Sequence, residues 1–446
     1  MGTYLHSVTL DEEKCRGCTN CIKRCPTEAI RVRKSKARII DERCIDCGEC
    51  IRVCPYHAKK AISDPFDIIN TYRYRVVVPA PSLYGQFKPA VSRDHVLTGL
   101  KQIGFDRVYE VARSAEFVSD ATRELIKRSN VSRPLISSAC PAVVRLIQVR
   151  FPNLIENIVK LESPMEVAAK IVKRQVMESE NLQPSDIGVF FISPCAAKVT
   201  SVKAPYEKER SYVDGVISIK DIYLKLLSAL GRVKSCENLE QAGFEGIRWA
   251  NSGGESLALG TDRFLAVDGI HNVTTILEEI ENDRLEDVDF IEALACTGGC
   301  LGGPLTVENL YVAKTRLKKF IDQAKDKVFP REKSQEYDDL VWTGHVEYKP
   351  IMKLDIDIIK AMKKLEALEL IKNELPGLDC GACGAPSCRA LAEDIVRGNA
   401  NETDCIFKLR EKVRDLAIQM MELEAKMPPV MDKETEIIRG VDSNEG

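Results

Sequence analysis

The sequence predicts an α/β protein with a small cysteine-rich module at each end. Between residues 70 and 325, short β-branched runs such as "RVVVPA" and "IGVFFIS" alternate with amphipathic stretches such as "PMEVAAKIVKRQVM". Buried strands that alternate with helices are typical of α/β architecture. The chain has 446 residues, which is enough for several domains, and most of its 17 cysteines cluster towards the two ends. We therefore expect domains at residues 1–65, 70–335 and 350–430.

The N-terminal module carries one cysteine motif twice. Residues 15–26 read "CRGCTNCIKRCP" and residues 44–55 read "CIDCGECIRVCP". The spacing C-x2-C-x2-C-x3-C-P is that of bacterial ferredoxins with two 4Fe-4S clusters, in which the fourth cysteine of each run binds the other cluster. Structural zinc or reduced core thiols are the alternative, but a tandem pair of clusters indicates electron transfer. The expected ligands are Cys15, Cys18, Cys21 and Cys54 for one cluster, and Cys44, Cys47, Cys50 and Cys25 for the other.

A different cysteine motif lies near the C-terminal end, in "GLDCGACGAPSC" at 377–388. Its glycines allow a tight backbone turn around a cluster, and the following "RALAEDIVRGN" predicts a helix that returns the last ligand. The segment resembles the single 4Fe-4S domain of membrane-associated electron-transport complexes and of corrinoid iron-sulfur proteins. A zinc site needs the same number of ligands and stays an alternative. The expected ligands are Cys380, Cys383, Cys388 and Cys405.

Four cysteines of the central region come directly after predicted strands. They are Cys140, Cys195 and the pair Cys296 and Cys300, and each has proline or glycine beside it. Open α/β sheets place their ligands beyond the carboxyl ends of the strands, so we expect these four side chains at one site. Cys236 follows no such strand and is expected to be a spare thiol.

The segments around these cysteines resemble the signature segments of the iron-only (FeFe) hydrogenases. They read "SSACPAVVRL" at 137–146, "SPCAAK" at 193–198 and "EALACTGGCLGG" at 292–303, in the order of that family. "APS" at 80–82 and "ESP" at 162–164 also fit its active-site lining. The resemblance covers roughly residues 70–325 together with the ferredoxin module.

This resemblance implies an H-cluster, in which a 4Fe-4S cube is joined to a two-iron subsite bearing CO, cyanide and a dithiolate with a central amine. Cys300 would bridge the cube and the two-iron subsite, and Lys198 would donate to an iron-bound cyanide. Ser82 and Pro164 would line the two-iron subsite. A buried ammonium needs an anionic partner, which a cyanide ligand supplies. The cube ligands implied are Cys140, Cys195, Cys296 and Cys300.

The chain departs from the family along the path that carries protons to the bridging amine. Ala139 stands where strongly catalytic members have a proton-relaying cysteine. An apolar side chain neither accepts nor releases a proton, so the usual path is cut. Three further path positions are also apolar, namely Ala121, Val159 and Leu257. The outer end of the path still matches, at Glu124 and Arg128.

Substitutions also surround the implied two-iron subsite. Ser193 and Leu294 replace methionines of the catalytic members, and Met165 replaces a glutamine. A chain that keeps the pocket but alters the proton supply resembles the sensory group D branch of the family. The C-terminal cluster domain is also similar to that branch. Losing one well-placed acid or base costs about a hundredfold to ten-thousandfold in rate. Slow turnover suits hydrogen sensing.

The C-terminal tail predicts a helix with an apolar seam. Its a and d positions alternate spacings of three and four and end before two prolines. Two readings are open: the seam packs against the predicted helix around 354–372, or it serves as a dimerisation or partner-docking coil. The seam residues are Ile406, Leu409, Val413, Leu416, Met420, Leu423 and Met427.

We therefore expect a hydrogenase that oxidises H2 reversibly and slowly and passes electrons through three accessory 4Fe-4S clusters. The rivals are a related iron-sulfur assembly protein without the two-iron subsite, and a plain electron carrier. The expected partners are a redox protein, the H-cluster maturation proteins and a signalling partner. A net charge of −3 predicts no nucleic-acid binding. The absence of a signal-like start or a long apolar run predicts a cytoplasmic protein without a transmembrane segment.

Overall fold

The structure, a computed structural model, divides into two compact units, Met1–Ile351 and Met352–Gly446. In the part of the chain that the structure describes, no helix is both long and apolar enough to cross a membrane. The described residues are 6–88, 91–128, 131–206, 208–327, 329, 337–351 and 353–426.

The N-terminal module of the first unit consists of two antiparallel strand pairs and two one-turn helices. β1 pairs with β4, and β2 pairs with β3. Buried cysteines and small apolar residues share the module's core, because so short a chain has few large side chains to bury. Its elements are β1 (Val8–Leu10), α1 (Asn20–Lys23), β2 (Ile30–Arg33), β3 (Lys36–Ile39), α2 (Glu49–Arg52) and β4 (Lys59–Ala61).

The rest of the first unit is built on two parallel sheets with helices packed against them. The larger sheet has the strand order β6-β5-β8-β9 and the smaller one β10-β11-β7. The elements are β5 (Tyr74–Pro79), α3 (Arg93–Gln102), β6 (Arg107–Val108), α4 (Val111–Ile126), β7 (Leu135–Ile136), α5 (Pro141–Arg150), α6 (Pro164–Glu180), β8 (Ile187–Ser193), α7 (Ala196–Lys203), β9 (Gly215–Ser218), α8 (Ile219–Leu230), α9 (Phe244–Arg248), α10 (Gly254–Leu259), β10 (Phe264–Asp268), α11 (Ile270–Glu281), β11 (Phe290–Leu294), α12 (Leu310–Ala324) and α13 (Tyr337–Leu340).

One central strand in each sheet is buried along its whole length. Every residue of β8 and of β11 is buried, as expected of parallel strands that are covered on both faces. The mixed α/β architecture predicted from the sequence is confirmed. Two strands of the parallel sheets were not predicted, namely β9, which has only four residues, and β10, whose five residues are all half-buried.

The carboxylate of Asp46, in the N-terminal module, joins that module to two helices of the central domain. Its Oδ2 accepts hydrogen bonds from Arg145 in α5 at 2.9 Å and from the Thr200 hydroxyl in α7 at 2.7 Å. Its Oδ1 accepts from the backbone N–H groups of Ser7 and Val8. Asp46 is buried, and removing one partner of such an ion pair costs about 3–5 kcal/mol. The module is therefore firmly attached to the helices that begin next to Cys140 and Cys195.

The second unit contains three helices, α14 (Ile358–Glu374), α15 (Cys388–Val396) and α16 (Ile406–Glu424). α14 packs on α15 around Leu368 and Leu391, and α15 is the helix that "RALAEDIVRGN" predicts. α16 has no buried residue. Its described seam residues are between 46% and 70% exposed, so the packing of this seam against α14 that the sequence suggested is wrong. Met427, the last seam residue, lies outside the described residues.

Candidate metal centres

Two cavities in the N-terminal module are each lined by four cysteines. Each set combines three cysteines of one motif with the fourth cysteine of the other, as the crossed ferredoxin pattern predicts. The cavities have volumes of about 20 Å³ each. Gly17 and Gly48 turn the chain beside them with φ of +65° and +73°. The sets are Cys15, Cys18, Cys21 and Cys54 around one cavity, and Cys25, Cys44, Cys47 and Cys50 around the other.

The second unit has its own cysteine-lined cavity, of about 10 Å³. The backbone N–H of Cys388 donates to the Asp379 carboxylate at 2.6 Å, which holds the loop closed. Ser387 begins α15 by accepting from the N–H of Ala390. The four cysteines that line the cavity are the predicted ones, Cys380, Cys383, Cys388 and Cys405.

The four central cysteines line one cavity where strands of both parallel sheets end. Cys140 and Cys195 are the residues that precede the first turns of α5 and α7. Cys296 and Cys300 follow β11 across a glycine turn in which Gly299 has a φ of +76°. A Cβ on this glycine would lie 2.7 Å from the backbone nitrogen of Ser252, so the turn can pack there only without a side chain. The chain thus brings the four predicted ligands together around one cavity.

Burial governs the charge of these thiols. Burial first, and the neighbouring cysteines second, raise the pKa of Cys300 to about 12 and the pKa of Cys195 well above its ordinary value. Burial likewise raises the pKa of Cys296, although Arg52 opposes the shift. Without a metal these thiols would be protonated near neutral pH, whereas bound cations stabilise thiolates. The donor set is therefore suited to a metal cluster.

The central cavity has room for more than a cube. Its volume of about 100 Å³ is several times that of either ferredoxin cavity. The Lys198 ammonium lines it and makes no hydrogen bond or ion pair with any residue that the structure describes. The hydroxyls of Ser82 and Ser163, buried next to lining residues, also lack a protein partner within the described chain. An unpaired cation and unpaired hydroxyls fit a group with anionic or accepting ligands.

The remaining walls are largely apolar. Ala139, Pro164, Met165 and Leu294 all line the cavity. Ser193 does not; it is buried, and its hydroxyl accepts from the backbone N–H of Cys195 and donates to the carbonyl of the same residue. A small apolar molecule could therefore enter this cavity without leaving many polar groups unpaired.

Family models match three parts of the chain. The model described as "Iron only hydrogenase large subunit, C-terminal domain" matches residues 73–251 and 223–304, which is more than half of the chain. The chain belongs to the iron-only hydrogenase family. A model for a 4Fe-4S dicluster domain matches residues 7–55, and a model for an Fe-S cluster domain matches 375–407. This member of the hydrogenase family thus carries iron-sulfur cluster domains at both ends.

The curated relatives include hydrogenases and assembly factors. Iron hydrogenase 1 of Clostridium pasteurianum is 23% identical over 299 residues, which are 55% of this chain and 52% of that protein. The cytosolic Fe-S cluster assembly factor narfl of Xenopus tropicalis is 28% identical over 143 residues, or 29% of this chain and 30% of that one. The chain spans about half the length of the curated hydrogenases that it matches.

A solved structure of a hydrogenase shares the fold. An apo variant of FeFe hydrogenase HydA1 from Chlamydomonas reinhardtii superposes with a TM-score of 0.50 at 14% identity. The match covers 65% of this chain and 97% of that one. It supports the hydrogenase fold of the first unit and, at this identity, nothing beyond the fold.

Two buried glutamates line the central cavity, and the sequence interpretation missed both. Glu255, in α10, accepts a hydrogen bond of 2.7 Å from the Ser137 hydroxyl, and Glu292 lies in the middle of β11. Glu292 accepts from the backbone N–H groups of Gly253 and Ser256, both at 2.9 Å. A carboxylate inside the apolar strand "FIEAL" is the signal that could have identified Glu292.

These two carboxyls have unusual proton affinity. Burial first, and the neighbouring charge of Glu292 second, raise the pKa of Glu255 to about 8. Burial also raises the pKa of Glu292, against the lowering effect of its backbone hydrogen bonds. A carboxyl that titrates near neutral pH can both hold and release a proton.

The positions matched to the family's proton path lie elsewhere. Ala121 and Val159 belong to the apolar core that α4 and α6 share, and Leu257 is 55% exposed. Glu124 and Arg128 are at the surface, at the end of α4. The side chains of Ala121 and Val159 are apolar, so they cannot relay a proton from that surface to the cavity.

Proposed function

We propose that this chain binds an H-cluster and activates molecular hydrogen slowly in a sensing role. The observation that supports this most is the enlarged central cavity, which the unpaired Lys198 ammonium lines together with four half-buried cysteines. A cube alone would leave the extra volume unfilled. The two-iron subsite would occupy it, and its cyanide ligands would accept a hydrogen bond from the Lys198 ammonium.

The residues have distinct roles in holding this group. Cys300 would be the ligand shared by the cube and the two-iron subsite, Lys198 would donate a hydrogen bond to a cyanide, and Ser82 and Pro164 would border the subsite. When bound, the H-cluster supplies the splitting of H2 into two protons and two electrons. The four cube ligands that we assign are Cys140, Cys195, Cys296 and Cys300.

The chain's own acid–base groups differ from the usual path. Ala139 leaves the cavity without the relaying thiol, so we assign proton holding to Glu255 and onward transfer to Glu292. Both carboxyls line the cavity and have a raised pKa. The Ser137 hydroxyl connects Glu255 to the backbone at Ala139, since it accepts from that N–H at 3.2 Å. The missing thiol and the transfer of protons through two carboxyls instead would account for slow turnover.

The accessory cysteine sets would hold the clusters through which electrons leave the central site. We assign residues 1–65 to a ferredoxin domain with two 4Fe-4S clusters, 70–335 to the H-cluster domain and 350–430 to a C-terminal 4Fe-4S domain. The last cluster would be the outlet to a redox protein or a signalling partner, although zinc remains an alternative there because its four-cysteine set suits either metal. The exposed seam of α16 supports a docking or dimerisation role. We further propose that the chain acts in the cytoplasm, where dedicated maturation proteins supply the two-iron subsite.

A second candidate function is iron-sulfur assembly without the two-iron subsite. The similarity to narfl, a cytosolic Fe-S cluster assembly factor, favours it. A plain electron carrier is the remaining rival. In both cases the central cavity would hold a cube only, and Lys198 would have no cyanide ligand to bind.

One experiment separates these functions. Protein loaded with the two-iron subsite is examined by infrared spectroscopy under argon, H2 and CO. We expect bands of bound CO and cyanide that change under H2, together with hydrogen/deuterium exchange. If no such bands form while all four cysteine sets contain iron, hydrogen activation is excluded and the assembly or carrier function is favoured.

A further inference from the structure

An arginine of the ferredoxin module contacts a cysteine of the central cavity. Arg52, the last residue of α2, donates a hydrogen bond of 3.3 Å from Nη1 to Sγ of Cys296. The two residues are 244 positions apart in the sequence. With a thiolate at Cys296, this would be a charge-assisted hydrogen bond to a cluster ligand.

Arg52 is held in this position by Glu49, one turn earlier in α2. The Nε and Nη2 atoms of Arg52 donate to Oε2 of Glu49 at 3.1 and 2.6 Å. Close packing fixes the same loop, because a Cβ at Gly48 would lie 2.5 Å from the ring of Pro304. The guanidinium therefore cannot swing away from Cys296 without breaking its pair with Glu49.

The helix that positions Arg52 also carries a cysteine of the second ferredoxin cavity. Cys50 lies in α2 just before Arg52 and lines that cavity together with Gly48 and Glu49. An arginine guanidinium is always cationic in proteins, and its pairing with Glu49 favours that charge. Arg52 thus places one fixed positive charge between the ligand sets of two clusters.

We propose that Arg52 tunes electron transfer between the central cube and the second ferredoxin cluster by stabilising the reduced form of the central cube. This rests on the proposed function, because it requires a cube on the four central cysteines. In the transfer, one electron leaves the central cube and one enters the ferredoxin cluster, and no bond is made or broken. Hydrogen bonds and positive charge at a ligand sulfur stabilise the additional negative charge of a reduced cluster.

The test is an EPR-monitored redox titration of the full chain produced without the maturation proteins, so that it carries cubes but no two-iron subsite. The EPR signal of the central cube is identified as the one that changes when the two-iron subsite is added. At a fixed potential, we expect Arg52→Gln to lower the ratio of reduced to oxidised central cube about tenfold. A change of this size corresponds to the loss of one hydrogen bond to a charged group. Arg284→Gln removes the same charge from a side chain that is 67% exposed, where solvent screens it, and should leave the ratio unchanged.

A spectroscopic measurement separates tuning from a structural role. In D2O, the reduced central cube should couple to an exchangeable deuteron that Arg52→Gln removes and Arg284→Gln retains. If Arg52→Gln does not fold, Arg52→Lys keeps the charge beside Glu49 and should still lower the ratio by about twofold or more, since the guanidinium donor is lost. An unchanged ratio and an unchanged coupling, with the cube present, would overturn the proposal. Absence of the central cube from the unmodified chain would instead refute the ligand assignment of the proposed function.

Discussion

The hydroxyl of Ser137 donates a hydrogen bond of 2.7 Å to Glu255 and accepts one of 3.2 Å from the backbone N–H of Ala139. Ser137 therefore joins a buried carboxyl to the site at which catalytic hydrogenases have a relaying thiol. The backbone N–H does not release its proton, so Ser137 does not carry a proton itself but holds the titrating carboxyl of Glu255 close to residue 139. This arrangement suggests that proton supply in this chain has moved from the missing thiol to Glu255.

The first prediction concerns Glu255→Gln in the loaded protein. An amide keeps the size and the hydrogen bond to Ser137 but does not titrate, so hydrogen turnover should fall about a hundredfold. Turnover and the infrared bands are measured together, and the bands should persist. Glu124→Gln is the matched change at the outer end of the family's path. It should have no effect, because that path is interrupted at Ala121 and Val159.

The opposite pair of results would contradict the assignment of proton holding to Glu255. If Glu124→Gln slowed turnover and Glu255→Gln did not, protons would still enter along α4, and water would have to bridge its apolar positions.

A second prediction follows from the raised pKa of Glu255. The value is about 8 in the folded protein against 4.5 for an ordinary glutamate, so between these two pH values the folded state holds more protons than the unfolded state. The free energy of unfolding therefore falls as the pH rises through this window. The Glu255→Gln variant has no titrating group at this position, so its free energy of unfolding lacks this fall with pH. From about pH 6 to about pH 9, the apparent melting temperature of the unmodified chain should fall relative to that of the variant. Parallel curves would show that Glu255 is already ionised at the lower pH.

The sets of cysteines that line each cavity could be predicted from the sequence, whereas the two buried glutamates of the central cavity could not. Ligands such as Cys15 and Cys18 are close in the chain, so their spacing reports the cluster directly. Glu255 and Glu292 come from a helix and a strand, and only the fold shows that both line one cavity. The contact of Arg52 with Cys296 spans 244 positions and leaves no local pattern.

Apolar periodicity had a similar limit. The spacing in α16 correctly predicted a helix with a seam, but it contained no information about what covers that seam. Periodicity indicates which face is apolar, while the partner of that face depends on tertiary structure.

The third prediction addresses Cys300. As the proposed bridge it has no substitute, so Cys300→Ser should abolish hydrogen activation in the loaded protein while the ferredoxin clusters remain reducible. Exchange activity and EPR of the reduced clusters are measured on the same sample. Cys236→Ser changes an exposed cysteine and should keep full activity. Normal turnover in Cys300→Ser would refute the assignment of the bridge.

The fourth prediction separates iron from zinc in the second unit. Cys383→Ala should lower the iron content and slow electron transfer to a protein acceptor, but leave hydrogen/deuterium exchange in the first unit intact. Iron and zinc are counted by elemental analysis, with Cys236→Ala as the matched control. Iron content equal to that of the control, accompanied by a loss of zinc, would identify this site as structural zinc.

The last prediction restores the missing thiol with Ala139→Cys. Ala139 lines the central cavity, so the new group, with an ordinary pKa of about 8.5, would lie beside the proposed two-iron subsite. The apolar residues at Ala121 and Val159 still separate it from Glu124, and Ser137 holds Glu255 near the backbone of residue 139. Turnover should therefore rise by much less than the hundredfold or so that a well-connected acid or base contributes. The infrared bands should shift, because a polar group replaces a methyl group next to the cofactor. Activity at the level of catalytic hydrogenases would show that Ala139 alone limits proton supply, and unshifted bands would show that residue 139 does not border the two-iron subsite.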